Sequence, residues 1–122
     1  SDHGFITLLP LSDVPGLEIL LPSGDWLPVK PLDGGILVNT GEFLSRWSNG
    51  RFLATPHRVV APAQGRYSMA LFFNPNADTV ADPLASCVSE ESPAAFEPVT
   101  MLEYMSWYID SNYKSESGGR QD

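Results

Sequence analysis

Short stretches of β-branched, aromatic and aliphatic residues alternate with turn residues along the first 73 positions of the chain. Each apolar stretch is four to eight residues long, which is typical of β-strands. Glycine, proline, aspartate and asparagine fill the gaps, where they supply the backbone conformations that a chain reversal needs. The pattern predicts six strands: Phe5–Leu9, Leu17–Leu21, Trp26–Val29, Ile36–Thr40, His57–Ala61 and Arg66–Phe73.

Strands of this length and spacing favour a sandwich or barrel, and the chain is predicted to be an all-β jelly roll, that is, a double-stranded β-helix. Two local signals fall between the predicted strands. Gly41–Trp47 predicts a short helical turn. Ser48–Arg51 contains Asn-Gly, a dipeptide that tolerates positive φ in a tight reversal.

The last part of the chain has a different pattern. Residues 74–98 lose the strand period and are rich in Pro, Asp, Ser and Glu, which predicts a surface connection. Thr100–Glu103 has the form of a capping box and predicts a C-terminal helix from Thr100 to Asn112. The expected apolar stripe of this helix consists of Leu102, Met105 and Ile109. Ser115–Asp122 is polar and is predicted to be a disordered tail.

Composition narrows the classes of protein. A length of 122 residues fits one domain, residues 1–122. The net charge of −8 argues against nucleic acid or an anionic membrane as a partner. No apolar run approaches the length that a membrane-spanning helix needs. The single Cys87 cannot form an internal disulfide, which fits a cytoplasmic protein.

Candidate chemistry comes from four polar residues within or beside the predicted strands: Asp2, His57, Arg66 and Ser68. A carboxylate and an imidazole are two of the three ligands in the facial triad that holds non-haem iron. Arg66 and Ser68 are two residues apart on a predicted strand, so their side chains share a face. There a guanidinium takes a carboxylate through two hydrogen bonds and the hydroxyl adds a third.

Five groups of residues follow one another in a distinctive order: Asp2 to Leu9, Val38 to Glu42, Ser48 to Phe52, His57 to Val59 and Arg66 to Ser68. In this order and spacing the chain resembles the C-terminal catalytic domain of the isopenicillin N synthase-like Fe(II)/2-oxoglutarate-dependent dioxygenases. The resemblance runs from residue 1 to about Pro75, with a weaker similarity in the C-terminal helix.

The resemblance implies roles for the four polar residues. Asp2 and His57 would hold Fe(II), and Arg66 and Ser68 would bind the far carboxylate of 2-oxoglutarate. The implied activity is an oxidoreductase reaction with O₂ that couples decarboxylation of 2-oxoglutarate to hydroxylation or desaturation of a small organic substrate. Asn39 and Arg51 also match the family's motifs; Asn39 is assigned to structure or to support of the site, and Arg51 to the hairpin.

The first histidine of the family's His-x-Asp motif has no counterpart here and is expected just before Ser1. His3 is not its substitute, because neighbouring strand residues point to opposite faces. The chain therefore reads as a fragment of such an enzyme, with a jelly roll incomplete at its N-terminal side. We expect the isolated fragment to be nearly inactive and to self-associate or lack an N-terminal segment.

Two other functions fit the same residues. The first is a catalytically silent jelly-roll module that binds a small acid or a partner protein. The second is an iron oxidase that does not use 2-oxoglutarate, since the pair formed by Arg66 and Ser68 would bind a substrate carboxylate equally well. A histidine before Ser1 would favour an enzyme over the silent module. The identity of the substrate is not readable from the sequence.

Overall fold

A computed structural model describes residues 1–113 as short strands with two helices. The strands are β1 Ile6–Pro10, β2 Leu17–Leu20, β3 Trp26–Pro28, β4 Ile36–Thr40, β5 His57–Val59, β6 Leu71–Phe73, β7 Val80–Ala81 and β8 Val99–Thr100. The helices are α1 Glu42–Trp47 and α2 Met101–Tyr113, and Ala85–Cys87 forms one 3₁₀ turn. The predicted tail, Ser115–Asp122, lies outside the described residues.

The strand pairs within residues 1–113 are antiparallel and form three sheets. The first has the order β4-β1-β6, the second β3-β2-β5, and the third contains β7 and β8. Side chains of the first two sheets line one cavity between them. The predicted fold class, a jelly roll with a C-terminal helix, is confirmed. Of the helices within residues 1–113, none has the length and apolar character that crossing a membrane requires.

The two faces of the first sheet differ in their exposure. Alternate residues on β1, β4 and β6 point into the cavity, as the period of two requires. The opposite face is apolar but largely uncovered within the described residues. Its most exposed side chains, at 58 to 60% of their full area, are Ile36, Val38, Leu71 and Phe73.

The last predicted strand is shorter than expected. In the structure β6 begins at Leu71 rather than at Arg66. Its ladder with β1 runs only as far as Leu8. Leu11 donates its N–H to Gly35 on the β4 side, and successive N–H groups of a strand point to opposite sides. The position of Pro10 therefore faces β6, and proline has no N–H to continue the ladder there.

Helix α2 buries a different stripe from the one predicted. Its capping box is confirmed: the Thr100 hydroxyl accepts from the Glu103 N–H, and the Glu103 carboxylate accepts from the Thr100 N–H. Met101 and Tyr104 are buried, however, whereas Leu102 is 60% exposed. Of the predicted stripe, Met105 is partly buried and packs against the core. Ile109, also in the predicted stripe, is 49% exposed.

The Tyr104 side chain explains this difference. Its ring is buried and its hydroxyl donates to Glu42 Oε2 at 2.8 Å. Burial, reinforced by the adjacent Glu42 carboxylate, raises the pKa of Tyr104, so the hydroxyl stays protonated and remains a donor at neutral pH. A tyrosine can occupy the core when its hydroxyl finds such a partner.

The hydrophobic core of the described chain lies beside the helices rather than between the sheets. It consists of Phe43, Ala81, Met101 and Tyr104. Ala81 belongs to the segment that the sequence assigned to a surface connection, residues 74–98, and this expectation was wrong in part. The segment contains β7, which pairs with β8 and brings Ala81 into the core.

The start of α1 holds the first residues of the chain in place. Backbone N–H groups of residues 41–43 donate to carbonyl oxygens of residues 2–5 at 2.8 to 3.3 Å. The two backbones approach so closely that a Cβ atom on Gly41 would overlap the carbonyl group of Gly4. Position 41 therefore requires glycine, because any side chain there would clash with the Gly4 backbone.

We predict that Gly41→Ala lowers the free energy of unfolding by about 1–3 kcal/mol, the usual range for overpacking, since the backbone of residues 2–5 must shift. Urea denaturation measures this change. Gly65→Ala is the matched control, because a Cβ atom there meets nothing within 4 Å. It should change stability by less than about 0.5 kcal/mol. Equal stability of the two variants would contradict the tight contact at Gly41.

Candidate metal and carboxylate site

One cavity of about 180 Å³ between the first two sheets contains all four residues singled out in the sequence. Asp2 precedes β1, His57 begins β5, and Arg66 and Ser68 precede β6. Every second residue from Arg66 to Phe72 lines the cavity, so the alternation predicted for this segment holds although its first half is not in a ladder. The apolar part of the wall consists of Leu9, Leu17, Ile19, Leu37, Val59, Ala70 and Phe72.

Asp2 and His57 face each other across this cavity. Asp2 Oδ1 lies 3.4 Å from His57 Nε2, and the side chains are only 19% and 30% exposed. His57 Nδ1 lies 3.3 Å from the carbonyl oxygen of Thr55. If Nδ1 carries the proton and donates to that carbonyl, Nε2 presents a lone pair to the carboxylate. Two facing lone pairs need a cation between them, either a proton on His57 or a metal ion.

The residues present fit a divalent metal. Two donor atoms that bind one ion in neighbouring positions, each about 2.1 Å from it, lie roughly 3–3.4 Å apart. The separation of Asp2 Oδ1 and His57 Nε2 falls within this range. Imidazole nitrogen with carboxylate oxygen is also the donor set of non-haem iron sites. Within residues 1–113 no group of three or more His, Cys, Asp and Glu side chains comes together, so the described chain brings only two of the predicted ligands.

The second oxygen of Asp2 is fixed by two donors. Thr7 Oγ1 donates to Oδ2 at 2.6 Å, and Asn39 Nδ2 donates to it at 2.7 Å. Burial acts to raise the pKa of Asp2, but these two hydrogen bonds and the charge of His57 outweigh burial and lower the pKa below its usual range. Asp2 is therefore ionised at neutral pH with Oδ1 directed toward His57.

Sequence reasoning identified Asn39 as a supporting residue and missed Thr7. A signal was present, because Thr7 is a polar residue on the inward face of β1, two positions before the apolar Leu9. Buried polar side chains need a hydrogen-bond partner, so an inward hydroxyl near Asp2 points to a contact with that carboxylate.

Arg66 has a different environment from Asp2. Its Nε atom is buried and, among the described residues, has no hydrogen-bond partner. An unpaired buried donor costs free energy until an acceptor arrives. Because Arg66 lines the cavity together with Ser68, a carboxylate entering the cavity is a suitable acceptor.

His3 is directed away from this site, as the sequence indicated. Its ring stacks on Tyr108 of α2 with the ring centroids 3.7 Å apart and the planes inclined by 16°. The side chain thus contacts the helix layer and is absent from the cavity lining.

The comparisons with known proteins identify the family. Residues 1–75 match the family model of the 2OG-Fe(II) oxygenase superfamily. The match covers more than half of the 122 residues, and the chain belongs to this superfamily. The order of sequence motifs and the cavity between the sheets agree with this membership.

Two curated relatives and one crystal structure illustrate the similarity. The 1-aminocyclopropane-1-carboxylate oxidase homolog 7 of Arabidopsis thaliana is 38% identical, with 96% of this chain and 35% of the relative covered. The 2-oxoglutarate-Fe(II) type oxidoreductase hxnY of Emericella nidulans is 38% identical, with 93% and 33% covered. Full-length Neurospora crassa T7H, solved in complex with alpha-KG and thymine, has a TM-score of 0.84 at 31% identity, with 93% and 36% covered. The chain spans about a third of the length of these proteins.

The hydrogen bond between Thr7 and Asp2 gives a pH-dependent prediction. Thr7→Val removes a bond to a charged group and should lower the free energy of unfolding at pH 7 by about 1.5–3 kcal/mol. The pKa of Asp2 should rise in this variant. Because a lowered carboxyl pKa stabilises the fold above the unfolded-state pKa, the difference from wild type should shrink as the pH falls through the folded-state pKa. Urea denaturation at several pH values measures it.

Thr40→Val is the matched control for this experiment. The Thr40 hydroxyl donates to the carbonyl oxygen of Leu53 at 2.8 Å, a bond between neutral groups. Its loss should cost about 0.5–1.5 kcal/mol with little dependence on pH. A pH-independent effect of Thr7→Val would show that the Thr7 hydroxyl does not stabilise the ionised carboxylate.

Proposed function

We propose that the protein containing this chain is an Fe(II)/2-oxoglutarate-dependent dioxygenase that oxidises a small organic substrate, by hydroxylation or desaturation. One observation carries the proposal: a carboxylate–imidazole pair and an arginine whose buried Nε has no partner among the described residues line the same small cavity. Membership of the 2OG-Fe(II) oxygenase superfamily supports it.

In this proposal Asp2 Oδ1 and His57 Nε2 are two protein ligands of the metal. A facial triad needs one further protein ligand, and within residues 1–113 no third His, Cys, Asp or Glu side chain joins this pair. The hydrogen bonds from Thr7 and Asn39 hold the Asp2 carboxylate in its binding orientation. The contact between Nδ1 and Thr55 orients the His57 ring in the same way.

Arg66 and Ser68 bind the far carboxylate of 2-oxoglutarate. The guanidinium offers two parallel N–H groups to the carboxylate, and the Ser68 hydroxyl adds a further donor from the same side of the chain. Binding there supplies the acceptor that Arg66 Nε lacks. It also orients the co-substrate so that its other end is directed toward Asp2 and His57.

When bound together, iron and 2-oxoglutarate supply the O₂-dependent oxidation of a C–H bond with release of CO₂. The chain's own residues bind and orient these two groups and exclude water from the cavity. Aliphatic and aromatic side chains such as Leu9, Leu37 and Phe72 form most of the cavity wall, which keeps the polar groups in a region of low dielectric constant.

The substrate class proposed is a small organic molecule. The T7H structure, which was solved with thymine and alpha-KG, supports this size of substrate but not its identity. About two thirds of the length of the similar proteins lies outside the matched region. Substrate contacts made in that part can differ between those proteins and the protein that contains this chain. The free Cys87 thiol supports a cytoplasmic location, where thiols stay reduced.

The co-substrate site is tested by Arg66→Lys in the whole protein. Lysine keeps the positive charge but loses the planar pair of donors, so the affinity for 2-oxoglutarate should fall about ten- to a hundredfold. Ser68→Ala should give a smaller loss. Calorimetric titration with 2-oxoglutarate, beside a metal titration of each variant, measures both quantities. Metal affinity should change little, whereas Asp2→Ala should abolish it.

Arg51→Lys makes the same chemical change at an exposed position outside the cavity and should leave both affinities unchanged. Unchanged 2-oxoglutarate affinity in Arg66→Lys would remove Arg66 from the site and favour an iron oxidase or a silent module. Unchanged metal affinity in Asp2→Ala would show that Asp2 is not a metal ligand and would contradict the proposed metal centre.

The uncovered face of the first sheet gives a prediction for the isolated 122 residues. Val38, Leu8 and Leu71 lie side by side across β4, β1 and β6, and the outer two are more than half exposed. Exposed apolar faces promote association. We expect sedimentation velocity to show concentration-dependent oligomers, and a Val38→Lys/Leu71→Lys double variant to reduce them. A wild-type monomer at high concentration would contradict this prediction.

A further inference from the structure

Glu42, the first residue of α1, connects the segment that carries Asp2 to the C-terminal helix. Its Oε1 atom accepts from the Ser1 hydroxyl at 2.6 Å, and its Oε2 atom accepts from the Tyr104 hydroxyl at 2.8 Å. Its backbone N–H donates to the carbonyl oxygen of Asp2 at 2.8 Å. One residue therefore contacts Asp2, its neighbour Ser1 and α2.

Helix α2 makes a second contact with the same segment one turn further along. Tyr108 stacks on His3, the residue that follows Asp2. Tyr104 and Tyr108 are four positions apart and so lie on one face of the helix. The residues on both sides of Asp2 are thus held by two tyrosines of α2, one through Glu42 and one directly.

These contacts matter because the segment has no strand partner. Residues 1–5 precede β1 and belong to no ladder in the described structure. Their backbone is held by the start of α1, and their flanking side chains by Glu42 and α2. A displacement of about 0.5 Å at a metal ligand is enough to weaken a site. The groups that fix this segment therefore also fix the position of Asp2.

We propose that Glu42 and Tyr104 are positioning residues for the metal centre, and that α2 holds the Asp2 carboxylate in its binding geometry. This inference rests on the proposed role of Asp2 as a metal ligand. Neither Glu42 nor Tyr104 lines the cavity, so both act through the segment that contains Asp2.

The experiment is a Co(II) titration of the metal-free whole protein, followed by the visible absorption of the bound ion, which reports coordination geometry. Glu42→Ala should raise the Kd for Co(II) about ten- to a hundredfold, as for other outer residues that orient ligands, and change the spectrum. Tyr104→Phe removes one of the two bonds and should raise the Kd less. Glu42→Gln should be milder than alanine, since an amide can accept from Tyr104 and donate to Ser1.

Tyr113→Phe is the matched control, because it deletes a hydroxyl from the same helix at a residue that is 67% exposed. It should leave the Kd and the spectrum unchanged. Should Glu42→Ala fail to fold, Tyr104→Phe and Glu42→Gln decide the question, since both keep the shape of the core.

Two results would overturn the inference, and Asp2→Ala separates them. If Asp2→Ala abolishes Co(II) binding while Glu42→Ala and Tyr104→Phe only lower the thermal unfolding temperature, Glu42 and Tyr104 are structural and the proposed function stands. If Asp2→Ala leaves Co(II) binding intact, the metal-ligand role of Asp2 fails and the inference fails with it.

Discussion

The contact between the start of α1 and residues 2–5 is the constraint on which the candidate site depends. Within residues 1–113 Asp2 belongs to no β-ladder, so no strand pairing holds its backbone in that part of the chain. The N–H groups at the start of a helix lack partners within the helix, and here they bind the carbonyl groups of that segment. The short approach is possible because residue 41 is glycine. The start of α1 thus holds the backbone at Asp2, just as pairing with β2 holds the backbone at His57.

Features set by neighbouring residues were predictable from the sequence. The strand period predicted that Arg66 and Ser68 share one face, and in the structure both line one cavity. The capping box of α2 also follows from short-range hydrogen-bonding chemistry. The placement of Asp2 and His57 in one cavity agrees with the motif order, while their roles as ligands stay predictions.

Features set by distant partners were not predictable. The length of β6 depends on Pro10, which belongs to another strand and removes a ladder hydrogen bond from it. The buried stripe of α2 depends on Glu42, because Tyr104 can enter the core only when a partner 62 positions away accepts its hydroxyl. Hydrophobic periodicity ranks leucine and isoleucine above tyrosine, so it selected Leu102 and Ile109 instead.

The polar groups of the cavity differ in how far the protein itself satisfies them. Asp2 Oδ2 and His57 Nδ1 have protein partners, so their orientation is set before any ligand arrives. Asp2 Oδ1 and His57 Nε2 lie close enough to bind one cation together, and Arg66 Nε has no acceptor among the described residues. A bound cation alone would leave the arginine unpaired, and a bound carboxylate alone would leave the two facing donor atoms without their cation. In the proposed function iron binds to the facing pair and 2-oxoglutarate supplies the acceptor, since a chelating acid can bind the metal at one end and Arg66 at the other.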